Sequence, residues 1–290
     1  MNTSKFSATA LLALGLLAGA CSKETEEVKP VVPEVPLPPL PEHITLGNPS
    51  GAVTDAAQPS NYLLLKTQYA LSYHRDRGIP NWVSWHLSPE WLGTAARQDD
   101  FRADATLPAG WYQVQTGSYT VSGFDRGHNC PSADRTTTVA DNSATFLMTN
   151  MVPQAPRNNQ QTWANLEGYC RTLVDQGNEL YIVMGNYGKG GTGSSGYKET
   201  LDNGRVTVPQ RIWKVIVVLP QGNDDVSRVS SSTRVIAVDT PNDNSLSTTW
   251  GTYRTTVDAI ETATGYDIMA RVPTAIQATL EAKVDSGPTQ

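Results

Sequence analysis

Apolar residues fall into short runs separated by turn-forming residues along most of this 290-residue chain. Tyr62-Leu63-Leu64-Leu65 and Ala70-Leu71-Ser72-Tyr73 are β-prone, and Trp82-Val83-Ser84-Trp85-His86-Leu87 alternates in period two. Phe146-Leu147-Met148 is a further short apolar run. Leu180-Tyr181-Ile182-Val183-Met184-Gly185 and Trp213-Lys214-Val215-Ile216-Val217-Val218-Leu219 have the near-continuous apolar character of buried central strands, and Arg234-Val235-Ile236-Ala237-Val238 adds another. Helical periodicity is rarer. From Asn159 to Val174, apolar residues at Trp163, Leu166, Tyr169, Cys170 and Leu173 recur near 3.6. Thr256–Thr264 predicts a second helix with Gly265 as its C-cap, and Pro273–Val284 a third. Gly185–Gly196 is rich in Gly and Ser and reads as a mobile loop. It lacks the Lys-Ser/Thr ending of a phosphate-binding loop. The mixture predicts an α+β fold with a central, largely antiparallel sheet.

The N-terminal region has a different pattern. Lys5 precedes an apolar run from Ala8 to Ala20, shorter than the ~20 residues that cross a membrane. This reads as an export signal over residues 1–20. Two cleavage readings compete: Ala18-Gly19-Ala20 fits ordinary signal peptidase, and Leu17-Ala18-Gly19-Ala20-Cys21 resembles a lipobox, with Ala18 where a larger aliphatic residue is usual. The cysteine count, Cys21, Cys130 and Cys170, favours the lipobox. A lipid on Cys21 leaves Cys130 and Cys170 either as one disulfide or as two buried thiols. Residues 21–42, with their prolines and glutamates, predict an extended tether. Residues 43–290 are long enough for one substantial core.

Charge narrows the function classes. The chain carries 22 Lys+Arg against 28 Asp+Glu, a net charge of −6. The first 42 residues hold three lysines and five glutamates, so the remainder is near −4. That balance argues against a high-affinity nucleic-acid binder, which is usually basic. It leaves room for an enzyme with a locally positive cleft.

Of the four histidines, His43, His74 and His86 read as structural or solvated. His128 lies in Gly123-Phe124-Asp125-Arg126-Gly127-His128, where a proton acceptor, a phosphate-gripping guanidinium and a glycine permitting close backbone approach stand together. A second segment runs from Thr149-Asn150-Met151 into Arg157-Asn158-Asn159-Gln160-Gln161-Thr162-Trp163-Ala164-Asn165-Leu166-Glu167. On a continuous α-helix, Asn159 and Glu167 would lie ~12 Å apart. The spacing suits one direct metal ligand with a water-mediated second, an arrangement that fits Mg²⁺. An N-capping Asn and a surface Glu would account for these two residues alone more simply.

Together the two segments resemble the DNA/RNA non-specific endonuclease family of ββα-metal (His-Me finger) nucleases, which includes endonuclease G and the Serratia-type enzymes. Similar blocks surround Arg97-Gln98-Asp99-Asp100-Phe101-Arg102-Ala103-Asp104, Trp82–Trp85, Val208–Lys214 and Ile260–Gly265, so the resemblance spans roughly residues 69–273. The departures are Cys130-Pro131 after the motif, where many members have Ala-Pro, and Cys170 in the metal-site helix. A Cys130–Cys170 bond would tie the two segments together.

The resemblance implies Mg²⁺-dependent hydrolysis of DNA and RNA, with Mn²⁺ as a substitute. His128 would be the general base, Asn159 the protein ligand of the ion, and Glu167 the group orienting its water shell. Arg126 and Arg97 would relieve charge on the phosphate, with Arg102 the alternative to Arg97, and Asp125 would brace the motif. None of these groups reads a base edge, which predicts tolerance of sugar and sequence. The expected partners are nucleic acid substrates and, through a lipidated Cys21, a bacterial outer membrane. The sequence shows no inhibitor protein, although a potent nuclease is often restrained until export. The competing readings are a nucleic-acid-binding lipoprotein without catalysis, a phosphodiesterase acting on a smaller substrate, and an envelope domain with a decayed site.

Overall fold

The structure is a computed structural model that describes residues 40–290, together with Met1. The export signal, Cys21 and most of the expected tether lie outside the described residues. Residues 39–290 form one compact unit.

Seven strands make its central sheet, and the sheet explains the apolar runs. In chain order the strands are β1 (Tyr62–Leu65), β2 (Ala70–His74), β3 (Ile79–Leu87), β4 (Asp125–His128), β5 (Met151–Gln154), β6 (Asn178–Tyr187), β7 (Gly191–Gly193), β8 (Gly196–Lys198), β9 (Thr200–Leu201), β10 (Val206–Thr207), β11 (Arg211–Pro220), β12 (Arg234–Pro241) and β13 (Arg254–Thr255). The large sheet has the order β1-β2-β3-β6-β11-β12-β13, and every pair in it is antiparallel. Central β11 pairs on both sides, with Val215 opposite Val183 of β6 and Ala237 of β12.

Both faces of this sheet are covered, so its middle strands bury successive residues on opposite sides. On β6, Leu180, Ile182 and Met184 join one apolar cluster, while Tyr181 and Val183 join the other. The same geometry explains β3. Its sequence alternates in polarity, yet all nine positions are buried, with Val83, Trp85 and Leu87 on one face and Trp82 on the other.

The first face carries helix α1 (Val139–Ala144), the strand pair β4–β5, and a helical segment that opens as a π-helix at Asn158–Trp163 and continues as α2 (Ala164–Asp175). The second face carries α4 (Val257–Thr264) and α5 (Thr274–Glu281), and a short α3 (Asp225–Arg228) lies between β11 and β12. The capping of α4 follows its sequence: Thr256 Oγ1 accepts the Ala259 amide, and Gly265 ends the helix at φ 74°.

Four expectations need correction. Phe146–Met148 is not a strand: Leu147 makes one bridge to Arg102, and Met148–Asn150 is a 3₁₀ turn. Phe146 is instead fully buried as a ring-packing residue. The Gly-rich stretch is not a loose loop. β6 extends to Tyr187, and β7 and β8 form a small antiparallel hairpin whose tip rests on Gly123, with the Ser194 amide donating to the Gly123 carbonyl at 2.9 Å. The helix expected to carry the metal ligand does not begin as an α-helix, because Asn158, Asn159 and Thr162 are anchored sideways to Thr240, Asp125 and Ser247 through its first turn. Finally, Cys130 and Cys170 are free. Each packs as a small apolar side chain in the first-face cluster, and burial pushes both thiols up to about 12. Among the described residues no helix is long and apolar enough to cross a membrane.

Candidate active site

Strand register brings the two sequence segments together. In β4–β5, Asp125 pairs with Gln154 and His128 with Met151. The chain then turns from Gln154 into the π-helical segment, so Asn159 returns beside Asp125. Gly127 makes this packing possible, since a Cβ there would collide with the buried side chain of Gln154. Behind the pair, Asn150 clamps the intervening loop: its Oδ1 accepts the Cys130 amide at 3.0 Å, and its Nδ2 donates to the carbonyls of Cys130 and Thr145.

Asp125 fixes the orientation of Asn159. Its Oδ2 accepts from Asn159 Nδ2 at 2.8 Å and from Gln160 Nε2 at 2.9 Å. With the amide nitrogen held by a carboxylate, the amide oxygen is the end left free to meet a cation. Asn159, Arg97 and Arg126 line one cleft of about 380 Å³, together with Asp125 and Phe101.

His128 stands behind this cleft in an aromatic setting, edge-on to Phe146 at 4.9 Å and tilted against Phe101 at 5.5 Å. Its Nε2 is buried and has no hydrogen-bond partner among the described residues. Burial first, then the charges of Arg97 and Arg126, lower its pKa to about 3, so the imidazole is neutral and able to accept a proton.

The two arginines differ. Arg126 lies over the Phe101 ring at 4.0 Å and has no ion pair among the described residues. Arg97 lies over Phe146 at 4.9 Å, tethered by Asp99 at 2.7 Å and Ser132 at 2.8 Å. Arg102, the alternative to Arg97, pairs with Asp100 and the Ser143 carbonyl and does not line the cleft.

Glu167 is on α2, away from the lining of the cleft, with 18% side-chain exposure. Its neighbour is one the sequence reading left without a role. Lys214, 1% exposed on β11, places Nζ 3.4 Å from Glu167 Oε1 and sits between the rings of Trp85 (5.3 Å) and Trp163 (5.2 Å). Burial raises the Glu167 carboxyl, and Lys214 is the main opposing influence. Asp134, 1% exposed, extends the network by accepting from Trp85 Nε1 and Arg171. The available signal was a single lysine inside an otherwise apolar strand, a residue almost never buried without a partner. Two of the other histidines, His43 and His86, are structural. His43 bonds the Thr67 carbonyl and the His86 amide, and His86 stands between Glu42 and Glu179.

The oxygens lining the cleft include the free Asn159 amide oxygen and the Asp125 carboxylate, a small all-oxygen set that fits a hard cation, with the Glu167 carboxylate recessed beyond the lining.

The sequence of residues 46–275 matches the DNA/RNA non-specific endonuclease family. A nuclease from Nostoc sp. (strain PCC 7120) is 52% identical over 244 residues, covering 84% of this chain and 86% of that protein. Nuclease C1 from Cunninghamella echinulata is 34% identical over 169 residues, 56% of this chain and 66% of that protein. The chain spans half of the zebrafish mitochondrial nuclease EXOG, to which it is 32% identical. A solved EndoG/EndoGI complex, whose title concerns the mechanism of EndoG inhibition, superposes with a TM-score of 0.63 at 21% identity, over 80% of this chain and 91% of that one. This likeness shows the fold alone. The chain therefore belongs to the DNA/RNA non-specific endonuclease family of metal-dependent nucleic-acid hydrolases, with the ββα-metal fold built from β4, β5 and the helix that follows them.

Proposed function

We propose that this protein is an Mg²⁺-dependent endonuclease that hydrolyses phosphodiester bonds in both DNA and RNA. The observation that carries the reading is His128: a neutral imidazole with a buried, unpartnered Nε2, behind a cleft that holds two guanidiniums and a fixed Asn159 amide. Arg126 grips the scissile phosphate, having no carboxylate to give up first, and Arg97 supports it from the rim of the cleft. A phosphate between them offsets the two charges that depress His128, so the imidazole gains basicity as substrate binds. His128 then takes the proton of the attacking water on its imidazole ring. Asn159 Oδ1 would hold the ion, and Glu167, held by Lys214, would orient the water around it. A bound Mg²⁺ would supply polarisation of the phosphate and charge relief for the departing oxygen. Every contact is to phosphate or water, which supports tolerance of sugar and sequence. The export signal and Cys21 support a lipid-anchored, exported enzyme within the same proposal.

The test is incubation of the protein and of Asn159→Ala with supercoiled plasmid and total RNA, in Mg²⁺ and in EDTA. The expected result is metal-dependent degradation of both substrates by the parent and loss of most activity in the variant. A variant that cuts normally and differs only in thermal stability would show Asn159 to be a structural partner of Asp125. A parent that cuts neither polymer would leave the smaller-phosphodiester reading in place.

A further inference from the structure

The second face of the sheet holds a group of carboxylates that the nuclease reaction does not use. Asp258 and Glu261 lie one turn apart on α4, and Glu281 closes α5 opposite them. One oxygen from each lies within 4.8 Å of the other two. Glu261 Oε1 is committed to the Ile268 amide at 2.7 Å, which fixes that side chain in place.

The independent observation is Glu281. This residue is 7% exposed, and its Oε1 is buried without a partner among the described residues. A buried acceptor with no donor is costly, and burying it beside two further carboxylates costs more. Neither α4 nor α5 contains a basic residue, and no ion pair among the described residues reaches any of the three acids. A further acid, Asp267, which accepts from Gln277, adds to the same negative charge. Burial first, then Glu261, Asp267 and Asp258, push the Glu281 carboxyl up to about 7. The cluster thus gathers three carboxylates, one of them holding a buried unpartnered oxygen, with no cationic side chain paired to them among the described residues.

Its geometry suits a cation. Calcium binds oxygens at roughly 2.3–2.6 Å, so two ligands on opposite sides of one ion stand about 5 Å apart. With Glu261 Oε1 taken by the Ile268 amide, the three carboxylates supply up to five oxygens to a flexible shell, and exposed Asp258 leaves one side open to water. We propose that Asp258, Glu261 and Glu281 form a calcium site that staples α5 to α4, separate from the catalytic ion. Ile260 and Leu280 already bring these helices into one apolar cluster, so the ion would lock a contact that packing makes.

The test uses the full chain carrying Asn159→Ala, to remove the proposed catalytic ligand, stripped of metal with EDTA and dialysed. Calorimetric titration with CaCl₂ should show one ion per chain, and millimolar Ca²⁺ should raise Tm by roughly 5 °C. Adding Glu281→Gln should abolish both effects. Adding Asp258→Asn, at an exposed position that folding does not need, should weaken Ca²⁺ binding at least tenfold. Absence of Ca²⁺ binding, or binding that neither substitution weakens, overturns the proposal. A higher metal-free Tm in Glu281→Gln with no Ca²⁺ effect in the parent would also overturn it, since the site would then hold a proton only.

Discussion

The two faces of the central sheet are built from different materials. Against the second face, α4, α5 and the segment around Ile44 and Leu46 pack Val257, Ile260, Ile268, Met269 and Leu280 onto Trp213, Val215 and Val217. Against the first face, apolar packing is interrupted by buried polar and charged groups: Asp134, Arg135, Asn150, Gln154, Asn158 and Lys214, each no more than 1% exposed. Several atoms there lack partners among the described residues, including His128 Nε2, both polar atoms of Gln154 and Asn158 Oδ1. Burying such groups costs free energy that apolar side chains would not. Apart from the Glu281 carboxylate cluster, the second face thus carries stability and the first carries chemistry, a division expected where function conflicts with close packing.

Four substitutions or titrations would break or sharpen this division. The largest effect should come from His128→Ala, which is expected to lower kcat by about two to four orders of magnitude while leaving Tm nearly unchanged. Near-normal turnover would remove His128 from the mechanism. Ile260→Ala, on the second face, should do the reverse, costing about 2–5 kcal/mol in thermal or denaturant unfolding with kcat of the folded protein intact. A loss of turnover in that variant would mean that the faces are not independent. Lys214→Met should lower kcat about 10- to 100-fold and weaken metal affinity, with Lys214→Arg retaining more of both. If both variants lost only stability, the lysine would be a packing element.

The smallest effects are pH slopes. The folded pKa of His128 is depressed below its ordinary 6.5, so its contribution is present above that value and is lost as pH falls toward 3. The folded pKa of Glu281 is raised above its ordinary 4.5, so in metal-free buffer its contribution is present below that value and is lost as pH rises through 7. Relative to the parent, His128→Ala should gain stability toward acid and Glu281→Gln toward neutrality. Parallel Tm profiles for the two variants would contradict this assignment.

Much of the molecule was legible in order along the chain. The long apolar runs of β6, β11 and β12 declared central strands because a strand buried on both faces needs apolar residues at nearly every position. Thr256 and Gly265 marked the ends of α4 because capping is local chemistry. Asp125-Arg126-Gly127-His128 and Asn159 stood out as a candidate site only together, through their resemblance to a family motif, since either segment alone suits a structural role as well. Other features were illegible for equally physical reasons. Whether Cys130 and Cys170 bond depends on where two distant segments lie, and the Gly-rich stretch became a hairpin because Gly123 offered it a surface. A polar start to a helix carries no sign that its side chains will be drawn sideways into a π-turn.

The sequence by itself determined the strands, the caps and the residue types able to move a proton or grip a phosphate, since these follow from local propensity and side-chain chemistry. Only the tertiary structure decided that Asp125 holds Asn159, that Lys214 stands under Glu167, that Arg97 rather than Arg102 lines the cleft, and that Glu281 meets Asp258 and Glu261. Each of those is a contact between residues far apart in the chain, made by strand register and helix docking, and no local pattern encodes them.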